Sequence, residues 1–363
     1  MSGSKSRRSF IAKGAAAGAA SVLAGKQSEA APAREGKLKI GIMGLGVVEY
    51  SWADIIEGQK PGSSRGNFGT QLLNMEITHV WDIDPKKAEA FAKRLGIKTV
   101  KKYDEMLGKV DALIFGDMGP VAYQHLLVKP YLEAGVPAYL SRPIAYCLRD
   151  VDDLIETAAK HNTPIMATAK YEHYKEVPAL KSKLKNIGKI RLVQAVCWTA
   201  DFPVHFHIQF MMLKILGYDM KQVSMHCVSD NNSPYIHETY FYPGEGDQEP
   251  FLCTIDGARI QDSFHIRIFG TEGIESASML RGYDWEYNLL HRYAPQIIDM
   301  QRTFEGRNYE PYDIVRKKTE IFLTAYYSYL ERGGAPVDVG TVPLDWRVKT
   351  PNYPTEIDWE KLK

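Results

Sequence analysis

The chain has 363 residues, of which 45% are hydrophobic, 25% charged and 11% aromatic, an ordinary globular composition with length for two domains. That excludes a disordered acidic segment, a collagen-like fibre and a disulfide-built miniprotein. Lys plus Arg number 45 against 44 Asp plus Glu, a formal net charge of +1, which offers no field for gathering nucleic acid or anionic lipid. Four cysteines (Cys147, Cys197, Cys227, Cys253) are widely spaced with no CxxC pair, so no metal site is expected. Cys227 and Cys253 are expected on neighbouring strands, as buried free thiols.

The near-neutral charge averages unlike parts. Residues 1–33 carry Lys5, Arg7, Arg8, Lys13 and Lys26 against Glu29, a net of +4, which leaves −3 for the remainder. Ser6-Arg7-Arg8-Ser9-Phe10-Ile11 precedes a weakly apolar Ala/Gly stretch from Gly14 to Gly25 and small-residue sites at Ser28-Glu29-Ala30 and Ala31-Pro32-Ala33. This order reads as a twin-arginine export signal. Its apolar stretch is too short to cross a bilayer core of roughly 30 Å, and no later segment is long enough either. The expectation is an exported, periplasmic bacterial protein with no membrane association once the signal is cleaved. The twin-arginine route carries folded proteins, so it also hints at a cofactor bound before export.

From Lys37 short apolar runs alternate with amphipathic stretches, the pattern of βαβ units on a parallel sheet. Leu38–Gly44 and Ile77–Trp81 read as strands. Asp84 caps a helix that begins at Pro85 and runs to Leu95. Val110–Phe115 is a strand, Val121–Ala134 a helix ended by Gly135, Ala138–Leu140 a strand, Leu148–Lys160 a helix and Pro164–Thr168 a strand. The pattern counts as six strands, five of them delimited here, in a doubly wound nucleotide-binding α/β domain.

Gly44 and Gly46 close the first strand and match the first two glycines of GxGxxG, with Val47 next and Glu49 in place of the third glycine. The first glycine makes the tight turn and the second admits the pyrophosphate; the missing third loosens helix packing without removing the phosphate site. Asp82, at the end of the second strand, suits an adenosine ribose and would repel a 2′-phosphate, so NAD is favoured over NADP. Gly46 and Asp82 are 36 positions apart, against roughly 20 in the simple motif. The excess lies between Glu49 and Met75. A helix starting near Val47 would put this loop at the far edge of the sheet; one starting near Asn67 would put Trp52 and Arg65 beside the cofactor.

These features, with Tyr131-Leu-Glu-Ala-Gly135, Ser141-Arg142-Pro143, Asn186–Ile190, Ile268–Gly273 and Gly334–Val337 in order, resemble the glucose–fructose oxidoreductase / inositol dehydrogenase / MocA family. The resemblance implies an N-terminal Rossmann domain and a C-terminal domain with a large, mostly antiparallel sheet that walls the active site and often the subunit interface, hence a homo-oligomer. The second half agrees: Lys189–Ala200, Lys221–Val228, Ile236–Tyr242, Phe251–Ile260 and Ser263–Ile268 alternate apolar with polar residues. The expected organisation is a signal over 1–33, an NAD-binding domain over 34–165, a substrate and oligomerisation domain over 166–345 and a tail over 346–363.

The departures are chemical. Arg142 replaces the family's Lys, which sits near the nicotinamide and helps move the substrate hydroxyl proton; Arg stays protonated, so it clamps or polarises instead. The family's His falls on His207, while its two Asp positions fall on Pro203 and Phe210, with Asp201 and His205 nearby. Arg142 and His207 are thus the catalytic candidates. Gly44, Gly46, Val47, Asp82, Gly119, Pro120 and Arg142 are the cofactor candidates, and Lys170, Tyr171 and His205 the substrate candidates. Tyr171, His173 and Tyr174 either pack beneath a sugar ring or tie the domains together. Gln124 and His125 begin the helix after Asp117–Pro120, at the carboxyl edge where open α/β sheets bind ligands, and His125 is as readily a capping or surface residue; Arg316-Lys-Lys-Thr-Glu320 reads as a solvated helix face. His205-x-His207 has no third ligand to make a metal site.

The implied activity is that of an exported NAD(P)-dependent oxidoreductase acting on a sugar, polyol or glycoside hydroxyl. Outside the cytoplasm its cofactor would be tightly bound and internally recycled. Two alternatives follow from the same residues: a lyase or hydrolase working through a transient keto-sugar, or a non-catalytic relative that only binds ligand.

Overall fold

The computed structural model describes residues 36–46, 52–57, 73–116, 123–198, 206–228, 235–258, 263–280 and 293–349. The signal and the candidates Val47, Gly119, Pro120 and His205 lie outside them, as do Asp201 and Pro203.

The first unit alternates β1 (Leu38–Met43), α1 (Trp52–Ile56), β2 (Met75–Trp81), α2 (Pro85–Leu95), β3 (Lys98–Thr99), β4 (Ala112–Phe115), α3 (Gln124–Glu133), β5 (Ala138–Tyr139), α4 (Leu148–Lys160) and β6 (Ile165–Met166). Every strand pairs parallel, in the order β3-β2-β1-β4-β5-β6, so all six carboxyl ends open on one edge, where doubly wound folds bind ligands. The sixth strand is β3, two exposed residues whose sequence carries no apolar signal. α2 begins as expected: the Asp84 carboxylate accepts the Lys86 N–H at 3.0 Å, Pro85 opens the helix, and Gly96 ends it at φ 70°.

After a 3₁₀ turn at Lys170–His173 and α5 (Glu176–Lys183), the second sheet is built from β7 (Ile190–Cys197), β8 (Gln222–Val228), β9 (Tyr235–Tyr242), β10 (Phe251–Gly257), β11 (Ser263–Gly270), β12 (Ile274–Leu280) and β13 (Val337–Asp338), with α6 (Phe206–Leu216) between β7 and β8. The order is β12-β11-β7-β10-β9-β8-β13, antiparallel except where β10 runs parallel to β7. Alternate residues such as Val193, Ala195, Ile236, Tyr240, Cys253, Ile255, Ile266 and Ile268 are buried, while Val196 and Leu252 on the opposite face are exposed. That is the period of a sheet packed on one side. Cys227 and Cys253 are not on neighbouring strands: β9 lies between β8 and β10. None of the four forms a disulfide, and Cys227 is only half-buried.

Two later helices complete the molecule. α7 (Ala294–Phe304) follows the second sheet but packs against the first, with Ile297, Met300 and Phe304 in one buried cluster with Ile40, Ile42, Trp52 and Met75. α8 (Tyr312–Arg332) lies against the second sheet and α4. Beyond β13 the chain returns to α4, where Val348 donates its N–H to the Tyr146 carbonyl at 3.0 Å. Among the described residues no helix is long and apolar enough to cross a membrane.

Candidate functional site

Two groups of side chains meet the carboxyl edge of the first sheet. The first is the turn after β1. Gly44 has φ 77°, a left-handed conformation that costs other residues about 1–2 kcal/mol, and its N–H donates to the Trp81 carbonyl at 2.8 Å. Asp82 is buried beside it: Oδ2 accepts the Leu45 N–H at 2.7 Å and Oδ1 the Asp84 N–H at 2.8 Å. Lys87 donates to the Leu45 carbonyl. This arrangement fits an NAD-type dinucleotide. The Gly44–Gly46 turn would carry the pyrophosphate, and Asp82, already fixed by backbone donors, the ribose.

The second group surrounds Arg142. Its turn is braced by fully buried Gln124, which donates to the Ser141 and Ile144 carbonyls, each at 2.9 Å, and accepts the Ser141 N–H at 2.6 Å. The guanidinium is buried within cation–π range of three rings: 5.0 Å from the Phe206 centroid, 5.8 Å from Trp52 and 6.0 Å from Tyr139. Nη1 donates to the Tyr139 hydroxyl at 2.7 Å, while Nε has no partner among the described residues. The Tyr139 hydroxyl donates in turn to the Thr168 carbonyl at 2.9 Å and accepts from Gln296 of α7 at 3.1 Å. Burial pushes its phenol up to about 12, so it stays neutral and holds Arg142 as a dipole.

Phe206 and His207 open α6, with ring centroids 4.4 Å apart. His207 stacks on Tyr171 at 5.1 Å and 27°. Beyond Tyr171 the Lys170 ammonium lies 5.6 Å from that ring and 5.1 Å from the Tyr293 ring, with the Tyr293 hydroxyl 3.3 Å away. Arg142, His207, Lys170 and Tyr171 are therefore brought together: a strip of rings, Phe206–His207–Tyr171, with one cation at each end. Tyr171 itself is buried, its hydroxyl accepting the Trp198 indole N–H at 2.6 Å and its ring also touching Tyr174 and Phe264.

His173 ties the turn after β6 to α7. His173 is buried, sharing hydrogen bonds with Asp299 of α7 through Nδ1 and with the Thr168 hydroxyl through Nε2, both at 2.8 Å. Burial lowers its affinity for a proton. Burial also opposes ionisation of Asp299, but the hydrogen bonds from His173 and Arg302 outweigh it and hold that carboxyl below its usual range. His125 is neither cap nor surface residue. It is buried 3.5 Å from the Asp150 carboxylate, which also pairs with Arg347 at 2.6 Å, and burial lowers it.

The charged run on α8 is likewise not a solvated face. Lys318 is fully buried, its ammonium 2.7 Å from Glu310, 3.3 Å from Glu172 and 3.0 Å from the Ala167 carbonyl, over the Phe210 ring. Glu172 also accepts the Ala169 N–H at 2.6 Å, so this cluster pins the turn that carries Lys170 and Tyr171. Sequence reasoning missed Tyr139, Gln124's brace, Gln296, Glu172 and Lys318. The one available signal was a polar residue, Gln296, beside the apolar Ile297–Met300–Phe304 stripe. Among the described residues no cluster of three or more His, Cys, Asp or Glu could hold a metal ion.

Comparison with known proteins gives the class. Residues 38–169 match the Gfo/Idh/MocA family model, described as an oxidoreductase family with an NAD-binding Rossmann fold. The first-sheet unit is thus similar to the NAD-binding Rossmann fold of that oxidoreductase family. Solved structures extend the likeness of fold across the second sheet. The WlbA dehydrogenase from Chromobacterium violaceum, in complex with NADH and UDP-GlcNAcA, is 16% identical with a TM-score of 0.67, covering 88% of this chain and 99% of its own. An oxidoreductase from Agrobacterium radiobacter, in complex with NAD+, L-tartaric acid and magnesium, is 15% identical with a TM-score of 0.65, covering 84% and 99%. A myo-inositol dehydrogenase from Corynebacterium glutamicum is 15% identical with a TM-score of 0.65, covering 84% and 100%. At such identities the likeness is one of fold. No curated protein sequence matches the chain.

Proposed function

We propose that this protein is an exported NAD-dependent oxidoreductase that oxidises or reduces a hydroxyl of a sugar, polyol or glycoside, with its cofactor retained and recycled. The observation that carries the reading is the juxtaposition, on one sheet edge, of the Asp82–Leu45 turn with the Arg142–Phe206–His207 group. NAD, when bound, supplies a hydride acceptor for the substrate carbon. The chain's own task is to hold the hydroxyl and take its proton as the carbonyl forms. A guanidinium offers donors and no acceptor, so Arg142 polarises the oxygen rather than accepting the proton. His207 is the group of the strip able to take it. A carboxylate at the end of β2, as Asp82 is, would repel a 2′-phosphate, which supports NAD over NADP.

Export rests on the Ser6–Ile11 motif, and retention of the cofactor on the lack of a free nicotinamide pool outside the cytoplasm. The exposed Val196, Leu252 and Ile274 on the open face of the second sheet support a homo-oligomer. Arg142 in place of Lys also favours a second outcome, in which the transient ketone acidifies a neighbouring C–H, Arg142 holds the enolate and the product is eliminated or hydrolysed with no net NADH. Heating the purified native protein tests the common premise: released NAD(H), seen by absorbance and mass, supports it, and protein free of nucleotide refutes it. Product analysis on a sugar panel then separates net oxidation from elimination. For export, Arg7→Lys with Arg8→Lys is expected to leave the protein in the cytoplasm.

A further inference from the structure

The charges around the strip say more about the substrate than its hydroxyl does. Arg142 and Lys170 are both buried, and neither has a carboxylate partner among the described residues: Arg142 contacts one phenol hydroxyl and three ring faces, Lys170 one phenol hydroxyl and two. The third buried cation, Lys318, shows what this fold does with a charge that serves structure alone. It surrounds it with Glu172, Glu310 and a backbone carbonyl. A buried cation without an anion is costly, and ring faces and phenol dipoles offset only part of that cost. The Arg142 Nε is buried and has no partner among the described residues.

We infer that the substrate carries a carboxylate, that is, it is a sugar acid or hydroxy acid, and that Arg142 receives it. Resting on the oxidoreductase reading above, this adds no chemical step; it names the group that anchors the molecule and sets specificity. A carboxylate suits the place. It is planar, as the guanidinium is, and can accept from two of its N–H groups side by side. It also carries a single charge, balanced by the single charge of Arg142. A phosphate, with a charge of about −1.5 to −2, would call for further donors close by, and Lys170 stands at the far end of the strip. The flanking rings Phe206, Trp52 and Tyr139 keep water from the pair, which strengthens it.

The test uses the full-length mature protein with NAD present and a panel of matched pairs: D-glucuronate, D-galacturonate, D-gluconate and L-tartrate, each against its methyl ester and its neutral alcohol, together with glucose 6-phosphate. Calorimetry reads binding, and absorbance at the NADH band reads turnover. The expected result is that at least one acid binds ten-fold or more tighter than both of its neutral partners and tighter than the phosphate ester. In Arg142→Gln that ratio should fall to within about two-fold. If no acid outbinds its ester, or if the phosphate ester binds best, the inference is overturned; neutral sugars turned over with NADH production would leave the oxidoreductase reading standing without it. If acids bind but the native protein releases no NAD(H) and makes none, the carboxylate site survives and the oxidoreductase reading falls. The wild-type ratios decide the matter even if Arg142→Gln fails to fold, and a folded variant that keeps the full acid preference refutes the role of Arg142.

Discussion

The Arg142 guanidinium donates to the Tyr139 hydroxyl at 2.7 Å, and that same hydroxyl accepts from Gln296, on a helix contributed by the second half of the chain. The side chain at the centre of the candidate chemistry is therefore aimed by a residue three positions back and steadied from α7. Each bond is between buried groups, so removing the hydroxyl leaves donors stranded.

Tyr139→Phe is expected to destabilise the protein by about 1–3 kcal/mol, the usual cost of unsatisfied buried donors. It should also raise KM for the substrate while leaving NADH affinity within about two-fold, because Asp82 and the Gly44 turn are untouched. Urea unfolding and a fluorescence titration with NADH read the two effects separately. An equal loss in both would mean that Tyr139 supports the sheet edge generally rather than aiming Arg142.

Asp82→Asn keeps the shape of the side chain but removes its charge and one acceptor oxygen. The Leu45 N–H at 2.7 Å and a ribose hydroxyl then compete for what remains. NAD affinity should fall by roughly ten-fold, equivalent to about 1.4 kcal/mol, and the preference for NAD over NADP should narrow as the repulsion of the 2′-phosphate is lost. Parallel titrations with NADH and NADPH read both changes. A variant that keeps both affinities would place the ribose elsewhere.

How much of this was legible in the sequence depended on whether local rules or long-range packing decided the element. α2 was read to the residue and α4 in outline, because cap, proline and amphipathic period are local. β3 was not, since two exposed polar residues paired with His79 and Val80 carry no periodic signal. Five strands of the open sheet were read from their alternation, but β12 and β13 were not, nor was the order: β7 to β10 parallel, with β9 between β8 and β10, is a fact of topology. The same limit applies to the site. Arg142 and His207 could be picked out, yet Tyr139, Gln296 and Glu172 matter only because α7 and α8 return to the first unit. Lys318 looked solvated because a Lys within Arg-Lys-Lys-Thr-Glu usually is, and its two carboxylate partners lie in the α7–α8 loop and the turn after β6.

Lys318→Met removes the one cation between Glu172 and Glu310 and leaves two buried carboxylates facing each other. Breaking a buried pair in this way costs about 3–5 kcal/mol, and denaturant unfolding should show a loss of that order. Adding Glu310→Gln and Glu172→Gln to Lys318→Met should recover much of it. Since Glu172 positions the Lys170–Tyr171 turn, the single variant should also weaken substrate binding more than cofactor binding.

The same cluster gives a pH dependence. Burial pushes the Glu310 carboxyl up to about 7 from its ordinary 4.5, with Lys318 opposing. Between those values the folded state holds a proton that the unfolded chain has released. The contribution of this group is therefore complete below about 4.5 and declines as pH rises through 7. Urea midpoints should show a falling component between pH 5 and 8 that disappears in Glu310→Gln, taken as the difference between variant and wild type.

His173 acts with the opposite sign. Burial lowers its proton affinity below the ordinary 6.5, the nearby Asp299 compensating only in part, and His125 is lowered in the same way. Below 6.5 the unfolded chain binds protons that the folded state refuses, so stability contributed by these imidazoles is complete above 6.5 and is lost as pH falls beneath it. His173→Gln keeps groups able to bond to Asp299 and the Thr168 hydroxyl but cannot take up a proton. Its unfolding midpoint should fall less steeply than the wild type between pH 6.5 and 5, whatever its absolute stability. Because α7 is tied to the sheet edge through this histidine, the wild type should also lose substrate affinity over that range more sharply than the variant. If the two slopes coincide, His173 takes up its proton equally in the folded and unfolded states over the window, and the acid sensitivity belongs to His125.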